Sequence, residues 1–291
     1  MNDTTLEVDQ SACPILAKRD HAAPSVFQPE ALLREARRQK GLSLDPVPDV
    51  CVLDPDGDIV RQAKRMGAAR LHSGWACYHT ELVGLDLHGV GEIGVVGCAV
   101  GASFAVLVAE QLFASGCRLL ISVSSAGQIT EAGPPPYFVL IERALRDEGT
   151  SYHYLPPSTF SEGPPSATLD QVEAGLRNTA RGVVVHRGST WTTDAPFRET
   201  ESAIAAAREH GVLAVEMEAA ALYAFATSRM KPVICFAHVT NSMGQSEGDF
   251  EKGEADGVVA SLRVVAATAR AWSLKIESSA AATPCDRENR L

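Results

Sequence analysis

The run Val212-Leu213-Ala214-Val215-Glu216-Met217-Glu218-Ala219-Ala220-Ala221 constrains this chain more than any other stretch. Val212 to Val215 has the length and apolar content of a buried strand. Ala219 to Ala226 reads as a helix that packs closely through small residues, with Leu222 and Phe225 as its larger contacts. Glu216 and Glu218 therefore lie where a buried strand gives way to a helix N-terminus. One carboxylate in that position offsets the helix dipole. A second acid two residues away, beside Met217 and three alanines that demand close burial, needs a partner, because a buried carboxylate without one is costly. A polyhydroxylated ligand at the strand end is one such partner.

The chain has 291 residues, 45% of them hydrophobic, enough for one large α/β domain. The net charge of −10 and the lack of a basic stripe with interleaved aromatics argue against a nucleic-acid partner. No apolar run has the length to span a bilayer, and no membrane partner is expected. Met1 to Gln10 is polar and acidic, which argues against a signal peptide. The cysteines at 13, 51, 77, 98, 117, 235 and 285 form no C-x-x-C pair or Cys/His cluster, so no metal site is expected. They read as reduced, mostly buried thiols of a cytoplasmic protein.

Three regions are expected: an arm and helix over 1–48, an α/β domain over 49–274, and a polar tail over 275–291. Gln28 to Lys40 reads as a helix stopped by Gly41. Val50 to Leu53 is the first buried strand, followed by Asp54-Pro55-Asp56-Gly57-Asp58 and a helix from Ile59 to Met66. That turn is either a ligand-facing corner or a plain turn with an N-cap. Its three aspartates repel a free phosphate, and Arg61 is placed to restore positive charge. Residues 81–97 fit a hairpin. Gly97-Cys98-Ala99-Val100-Gly101 leads into a helix from Phe104 to Ala114 and lets backbone approach a ligand, although tight packing explains it nearly as well. It is not the G-x-G-x-x-G of a dinucleotide site.

Arg118 to Val123 reads as a strand ending in Ser124-Ser125-Ala126-Gly127, either an anion cradle or an ordinary turn. Residues 146–166 read as a pocket-lining loop. Gly182 to His186 is a strand, and 187–199, with its four hydroxyls, Trp191, Asp194, Arg187 and Arg198, reads as a recognition loop. Pro232 to His238 is a strand, and Phe250 to Leu274 a final helix broken in register near Gly253 and Gly257. Strands alternating with helices give a three-layer α/β/α fold around a twisted mixed sheet, with the interesting loops at the carboxyl ends of strands.

Together these segments resemble the nucleoside phosphorylase-I family, which includes purine and uridine phosphorylases and the methylthioadenosine/adenosylhomocysteine nucleosidases. Val215-Glu216-Met217-Glu218-Ala219-Ala220 is the most specific match. Gly97 to Ser103, Ser122 to Gly127, Thr193 to Phe197 and His238 to Asn241 match in order and spacing, so the likeness covers roughly 49–274. The resemblance implies cleavage of the N-ribosidic bond of a nucleoside. Phosphorolysis to free base and ribose 1-phosphate is the first reading, with inorganic phosphate as co-substrate and no other cofactor. Hydrolysis with water in the phosphate slot is the alternative, and a nucleoside-binding protein without turnover is the third.

By the same resemblance Met217 packs on the ribose and Glu218 accepts its hydroxyls. Asn241 stands where the family's general acid stands, and Asp194, Phe197 and Asn241 face the base. Gly57, Arg61, Ser125 and Arg187 are the candidates for phosphate or water. A homo-oligomer, dimer or hexamer, is also implied. Three departures from the family weigh on the choice. The Gly-Asp-Pro phosphate turn is replaced by the aspartate-rich 54–58 turn, the arginine before the serine loop is Ser122, and the acid of the base site is Asn241. The first two weaken phosphate binding. The third removes a carboxylic acid that protonates a purine, while leaving an amide able to bond a base edge.

Overall fold

A computed structural model describes residues 14–17, 19–243 and 247–281, with side chains as far as Ser273. The expected readings of Met1 to Gln10, Cys13, Gly244, Cys285 and the last ten residues of the tail fall outside these. The strands are β1 (Val50–Asp54), β2 (Arg70–Leu71), β3 (Val83–Leu87), β4 (Gly91–Gly97), β5 (Leu119–Gln128), β6 (Tyr137–Asp147), β7 (Phe160–Glu162), β8 (Val185–Thr193), β9 (Val212–Glu216) and β10 (Val233–Asn241). The helices are α1 (Pro29–Lys40), α2 (Asp58–Arg65), α3 (Ala102–Ala114), α4 (Ser151–Tyr154), α5 (Ser166–Thr179), α6 (Glu201–Glu209), α7 (Ala219–Arg229) and α8 (Val258–Ala281). No helix among the described residues is long and apolar enough to cross a membrane.

All ten strands join one mixed sheet in the order β10-β6-β8-β9-β5-β1-β4-β3-β2, with β7 beside β6. β10 also pairs with β5, so β5, β10, β6, β8 and β9 close into a ring and the remaining strands extend from it. The ring is sealed where β5 meets β9 through Gly127 and Gln128 only. Helices cover both faces, as the alternating pattern requires. In β1, Cys51 and Leu53 join the core that includes α3 and α7, while Val50 and Val52 join the core with α2, α5 and α8. A strand buried on both faces reads as a continuous apolar run, which is why Val50 to Leu53 was legible.

Several boundaries differ from the expected ones, each for a polar reason. β8 runs on to Thr193, so most of the expected recognition loop is strand: Thr190 and Thr192 turn inward to bond a buried carboxylate. Within 146–166 the chain forms α4 and β7 instead of a plain loop. The last helix begins only at Val258. Gly253, Ala255, Asp256 and Gly257 all have φ between 51° and 87°, a left-handed run that no α-helix tolerates. α1 matches its expected span, with Pro29 in its first turn and Gly41 at φ 64° as its stop.

Two side chains that precede α1 reach α4. Arg19 bonds His153 Nδ1 at 2.7 Å and His21 meets the Tyr152 carbonyl at 3.2 Å.

Candidate active site

The two acids of the opening stretch divide the work. Glu216, at the end of β9, is a structural acceptor. Its Oε2 takes the amides of Glu218 and Ala219 at 2.7 Å each, closing the N-terminus of α7. Its Oε1 takes the hydroxyls of Thr190 and Thr192. Thr192 in turn accepts the Ala220 amide at 2.9 Å. Burial pushes the Glu216 carboxyl above its ordinary range, and these donors oppose that shift.

Glu218 faces a different wall. Its Oε1 accepts the Gly101 amide at 2.7 Å, at the N-terminus of α3, and its Oε2 accepts the Ser124 hydroxyl at 2.7 Å. The residue is 2% exposed. Burial, and then the neighbouring Glu216 charge, push its carboxyl up to about 7. Two donors fix the plane of the carboxylate and leave each oxygen a second lone pair for a ligand hydroxyl. Small residues are needed here. α7 packs Ala219, Ala220 and Ala221 against the sheet at no more than 1% exposure, and Tyr223 pins the helix by donating to the Ile141 carbonyl at 2.6 Å.

The expected anion slot lies on the opposite face of β5. Neighbouring residues of a strand point to opposite faces, so Ser124 reaches Glu218 while Ser125 donates to Asp56 Oδ2. Lys252 Nζ sits 2.5 Å from Asp56 Oδ2 and 2.7 Å from Asp58 Oδ2, and Arg61 is bound to Asp58 Oδ1. Burial works against it, but Lys252 and Arg61 still hold the Asp58 carboxyl below its ordinary value. Gly57, at φ 77°, lets the turn pass under Cys98, whose Sγ lies 2.6 Å from where a β-carbon would stand. Asp54 is buried behind this row. Burial raises its carboxyl to about 6, against the pull of the Val60 amide at 3.1 Å.

Arg187 is a correction. Its guanidinium is held by Glu142 at 3.1 Å, Asp170 at 2.6 Å and the Ser166 hydroxyl at 3.1 Å, on β6 and α5. All three of its nitrogens are taken, and the structure does not bring it to Gly57, Arg61 and Ser125. On the expected base side, Asn241 is buried at the β5–β9 seam. Its Oδ1 accepts the Met243 amide at 2.9 Å, and its Nδ2 lies 3.2 Å from Thr240 Oγ1 and 3.4 Å from the Ala126 carbonyl. Gly127 has no room for a side chain there, with Met243 Sδ 2.6 Å and Asn241 Oδ1 3.3 Å from a β-carbon position. Asp194 accepts the Gly149 amide at 2.9 Å, which ties it to the β6–α4 corner. Phe197, in a single 3-10 turn over Pro196–Arg198, is 99% exposed. Met217 is half-buried between the two acids.

Sequence reading missed Ser124, Asp56 and Lys252 as site residues. Ser124 was findable from strand alternation once Ser125 was placed. Lys252 was hidden by reading Phe250 onward as helix, although Gly253 and Gly257 marked the irregular segment that carries it. A cavity of about 640 Å3 between α2, β3 and α8 contains none of these residues. Among the described residues no group of three or more His, Cys, Asp or Glu side chains is arranged to hold a metal ion.

Known proteins bear on this geometry. In fold the chain is similar to uridine phosphorylase from Vibrio fischeri, at TM-score 0.65 and 20% identity over 80% of this chain and 94% of that one. An AMP nucleosidase from Bacteroides thetaiotaomicron matches at TM-score 0.65 and 17% identity over 87% and 100%. A 5′-methylthioadenosine/S-adenosylhomocysteine nucleosidase from Neisseria meningitidis, bound to methylthio-immucillin-A, matches at TM-score 0.60 and 18% identity over 75% and 97%. At these identities the likeness concerns the fold. In sequence, a DeoD-type purine nucleoside phosphorylase from Bacillus cereus is 29% identical over 137 residues, 46% of this chain and 57% of the relative. The match thus spans a little over half the length of such relatives. The family model of the phosphorylase superfamily matches residues 62–271, well over half of the chain, and with it the chain belongs to that superfamily.

Proposed function

We propose that this protein cleaves the N-ribosidic bond of a nucleoside and releases the free base. The observation that carries this reading is Glu218, a buried carboxylate fixed by the Gly101 amide and the Ser124 hydroxyl at the strand end where the sugar is expected. Cleavage of an N-riboside builds positive charge on the sugar ring as the base departs. A fixed carboxylate against the sugar hydroxyls stabilises that charge more than it stabilises the ground state. Met217 packs on the sugar beside it. Asn241 and Phe197 serve the base, the first by amide hydrogen bonds and the second by stacking. Asn241 carries no transferable proton, so the leaving base is helped by hydrogen bonding and takes its proton from solvent.

The test is release of free base from a panel of purine and pyrimidine nucleosides. At least one is expected to be cleaved. Glu218→Gln is expected to lower kcat on it on the order of 10²-fold or more, with KM changed less. Base release by the variant at the parent's rate rejects the role of Glu218. Nucleoside binding with thermal stabilisation and no product from any member rejects the enzyme reading.

A further inference from the structure

We infer that the cavity of about 640 Å3 between α2, β3 and α8 binds an amphipathic carboxylate, an apolar body with one anionic end such as a medium-chain fatty acid. The inference stands apart from the reading of Glu218, because none of the residues placed on the sugar, base or anion sides lines this cavity.

The walls are apolar. Ile59 and Ala63 lie on one face of α2, with Met66 at its end, and Val258 and Leu262 lie one turn apart on α8, with Leu85 of β3 beside them. Such faces are normally closed against each other or against a further element. Here they leave a concave space within the range of small-molecule pockets, roughly 300–1,000 Å3. Met66 is 72% exposed although it belongs to this wall. Its unbranched side chain adapts to what it covers.

Charge then selects the ligand. The chain carries a net charge of −10, yet among the described residues this cavity is lined by Arg70, Arg263 and Arg270 against one carboxylate, Asp86. Asp86 is already paired with Arg70 at 3.0 Å, and Glu92 takes a second nitrogen of Arg70 at 3.2 Å. Arg270 meets no carboxylate among the described residues. It donates from Nε to the Gly89 carbonyl at 3.1 Å and from Nη2 to the His88 carbonyl. These bonds to the β3–β4 turn fix the plane of the guanidinium and leave Nη1 for another acceptor. Arg263 also meets no carboxylate among the described residues, and donates to the Arg181 carbonyl at 3.4 Å. The two arginines stand seven residues apart on α8, about 10 Å along the helix.

A carboxylate with an apolar body satisfies both halves of the site. Its head takes a charge-assisted hydrogen bond from Arg270, with Arg263 adding positive field. Its body removes Leu85, Val258 and Leu262 from water. A compact anion such as phosphate leaves the apolar walls wet. An uncharged alcohol leaves the guanidinium without a counter-charge, and a cationic amphiphile is repelled.

The experiment is calorimetric titration of the full chain with dodecanoate below its micelle concentration, with melting temperatures recorded alongside. Dodecanol and dodecyltrimethylammonium keep the chain and change the head, and inorganic phosphate serves as an anion without a chain. Saturable binding of one dodecanoate per chain is expected, with a raised melting temperature. Each control is expected to bind at least about tenfold more weakly, the order of effect of losing a hydrogen bond to a charged group. Arg270→Gln is expected to weaken dodecanoate binding by a similar factor. Because Arg270 also braces the β3–β4 turn, Met66→Glu is the second variant. At its exposed position it is expected to leave the melting temperature of the free protein unchanged, while its carboxylate on the apolar wall weakens dodecanoate binding. Equal affinity for dodecanoate and dodecanol overturns the carboxylate assignment. Undiminished binding by both variants overturns the site. A falling melting temperature without saturation is detergent action and overturns the inference. A mass that doubles with protein concentration while dodecanoate is excluded gives the groove to a second copy of the chain and overturns it too.

Discussion

Ser124 donates its hydroxyl to Glu218 at 2.7 Å, while the adjacent Ser125 donates through the other face of β5 to Asp56. One strand end thus supplies a donor to each of two carboxylates that the sequence keeps 162 residues apart, at 56 and 218. Ser124 thus belongs to the wall that fixes Glu218, and Ser125 to the row of Asp56, Asp58 and Lys252 on the other face of the strand.

Ser124→Ala is expected to change the reaction through Glu218. A hydrogen bond to a charged group contributes roughly 1.5–3 kcal/mol, and here it favours the ionised form. Its loss is expected to lower kcat about tenfold or more at neutral pH and to move the acid limb of the pH–rate profile to higher pH. A kcat loss with an unmoved profile would show that Ser124 only packs.

Activity and stability are expected to run in opposite directions with pH. The folded protein holds the Glu218 carboxyl at about 7, raised by burial and by Glu216 from an ordinary value of 4.5. The folded state therefore binds this proton more tightly than the unfolded chain. The associated stability is full below about pH 4.5 and is lost as pH rises through 7. Asp54, at about 6, adds a decline of the same sign over the lower part of that window. In the proposed role the ionised Glu218 is the active form, so turnover is expected to rise over the same interval. Melting temperatures between pH 5 and 8 check this, and Glu218→Gln is expected to show the shallower decline. An equal slope in parent and variant rejects the assignment.

The layered α/β fold was legible because Val50 to Leu53, Val212 to Val215 and Val233 to His238 are short apolar runs, and apolar content survives any detail of packing. Glu218 was legible as an acid where local sequence offers no exposed helix face. What escaped was pairing across distance. Nothing near Arg187 in sequence announces that Glu142 and Asp170 claim it, since those partners arrive through β6 and α5. The hydroxyls of Ser189 to Thr193 looked like a loop because polar residues rarely line a buried strand. Here Thr190 and Thr192 are buried because their hydroxyls bond Glu216, an arrangement that the β8–β9 pairing sets up.

Glu216→Gln is expected to act on stability more than on chemistry. Glu216 accepts two backbone amides and two hydroxyls, and an amide in its place presents an NH2 to some of those donors. Leaving a buried donor unpaired costs roughly 1–3 kcal/mol. A lowered melting temperature is expected, with kcat of the folded fraction reduced far less than in Glu218→Gln. Equal kcat losses in the two variants would contradict the division of roles.

Arg187→Ala is expected to leave the kinetics within about twofold of the parent, in the presence or absence of phosphate. Its ion pairs with Glu142 and Asp170 lie near the surface and are worth roughly 0–1 kcal/mol. A steep, selective rise in KM for phosphate would return this arginine to the site.

Phe197→Ala separates the proposed base contact from folding. The side chain is 99% exposed, so its removal opens no cavity and the melting temperature is expected to stay within experimental error. If the base stacks on this ring, the contact is worth about 0.5–1.5 kcal/mol beyond area burial. A KM increase of about tenfold or less is then expected, since each tenfold corresponds to about 1.4 kcal/mol. The increase is expected to be larger for purine than for pyrimidine nucleosides, because a bicyclic base covers more of the ring. Phe197→Trp is expected to keep the parent's KM while Phe197→Leu loses most of the contact, which distinguishes stacking from simple apolar cover. Unchanged KM values for every base in Phe197→Ala would take this residue out of the site and leave base recognition to the Asn241 side.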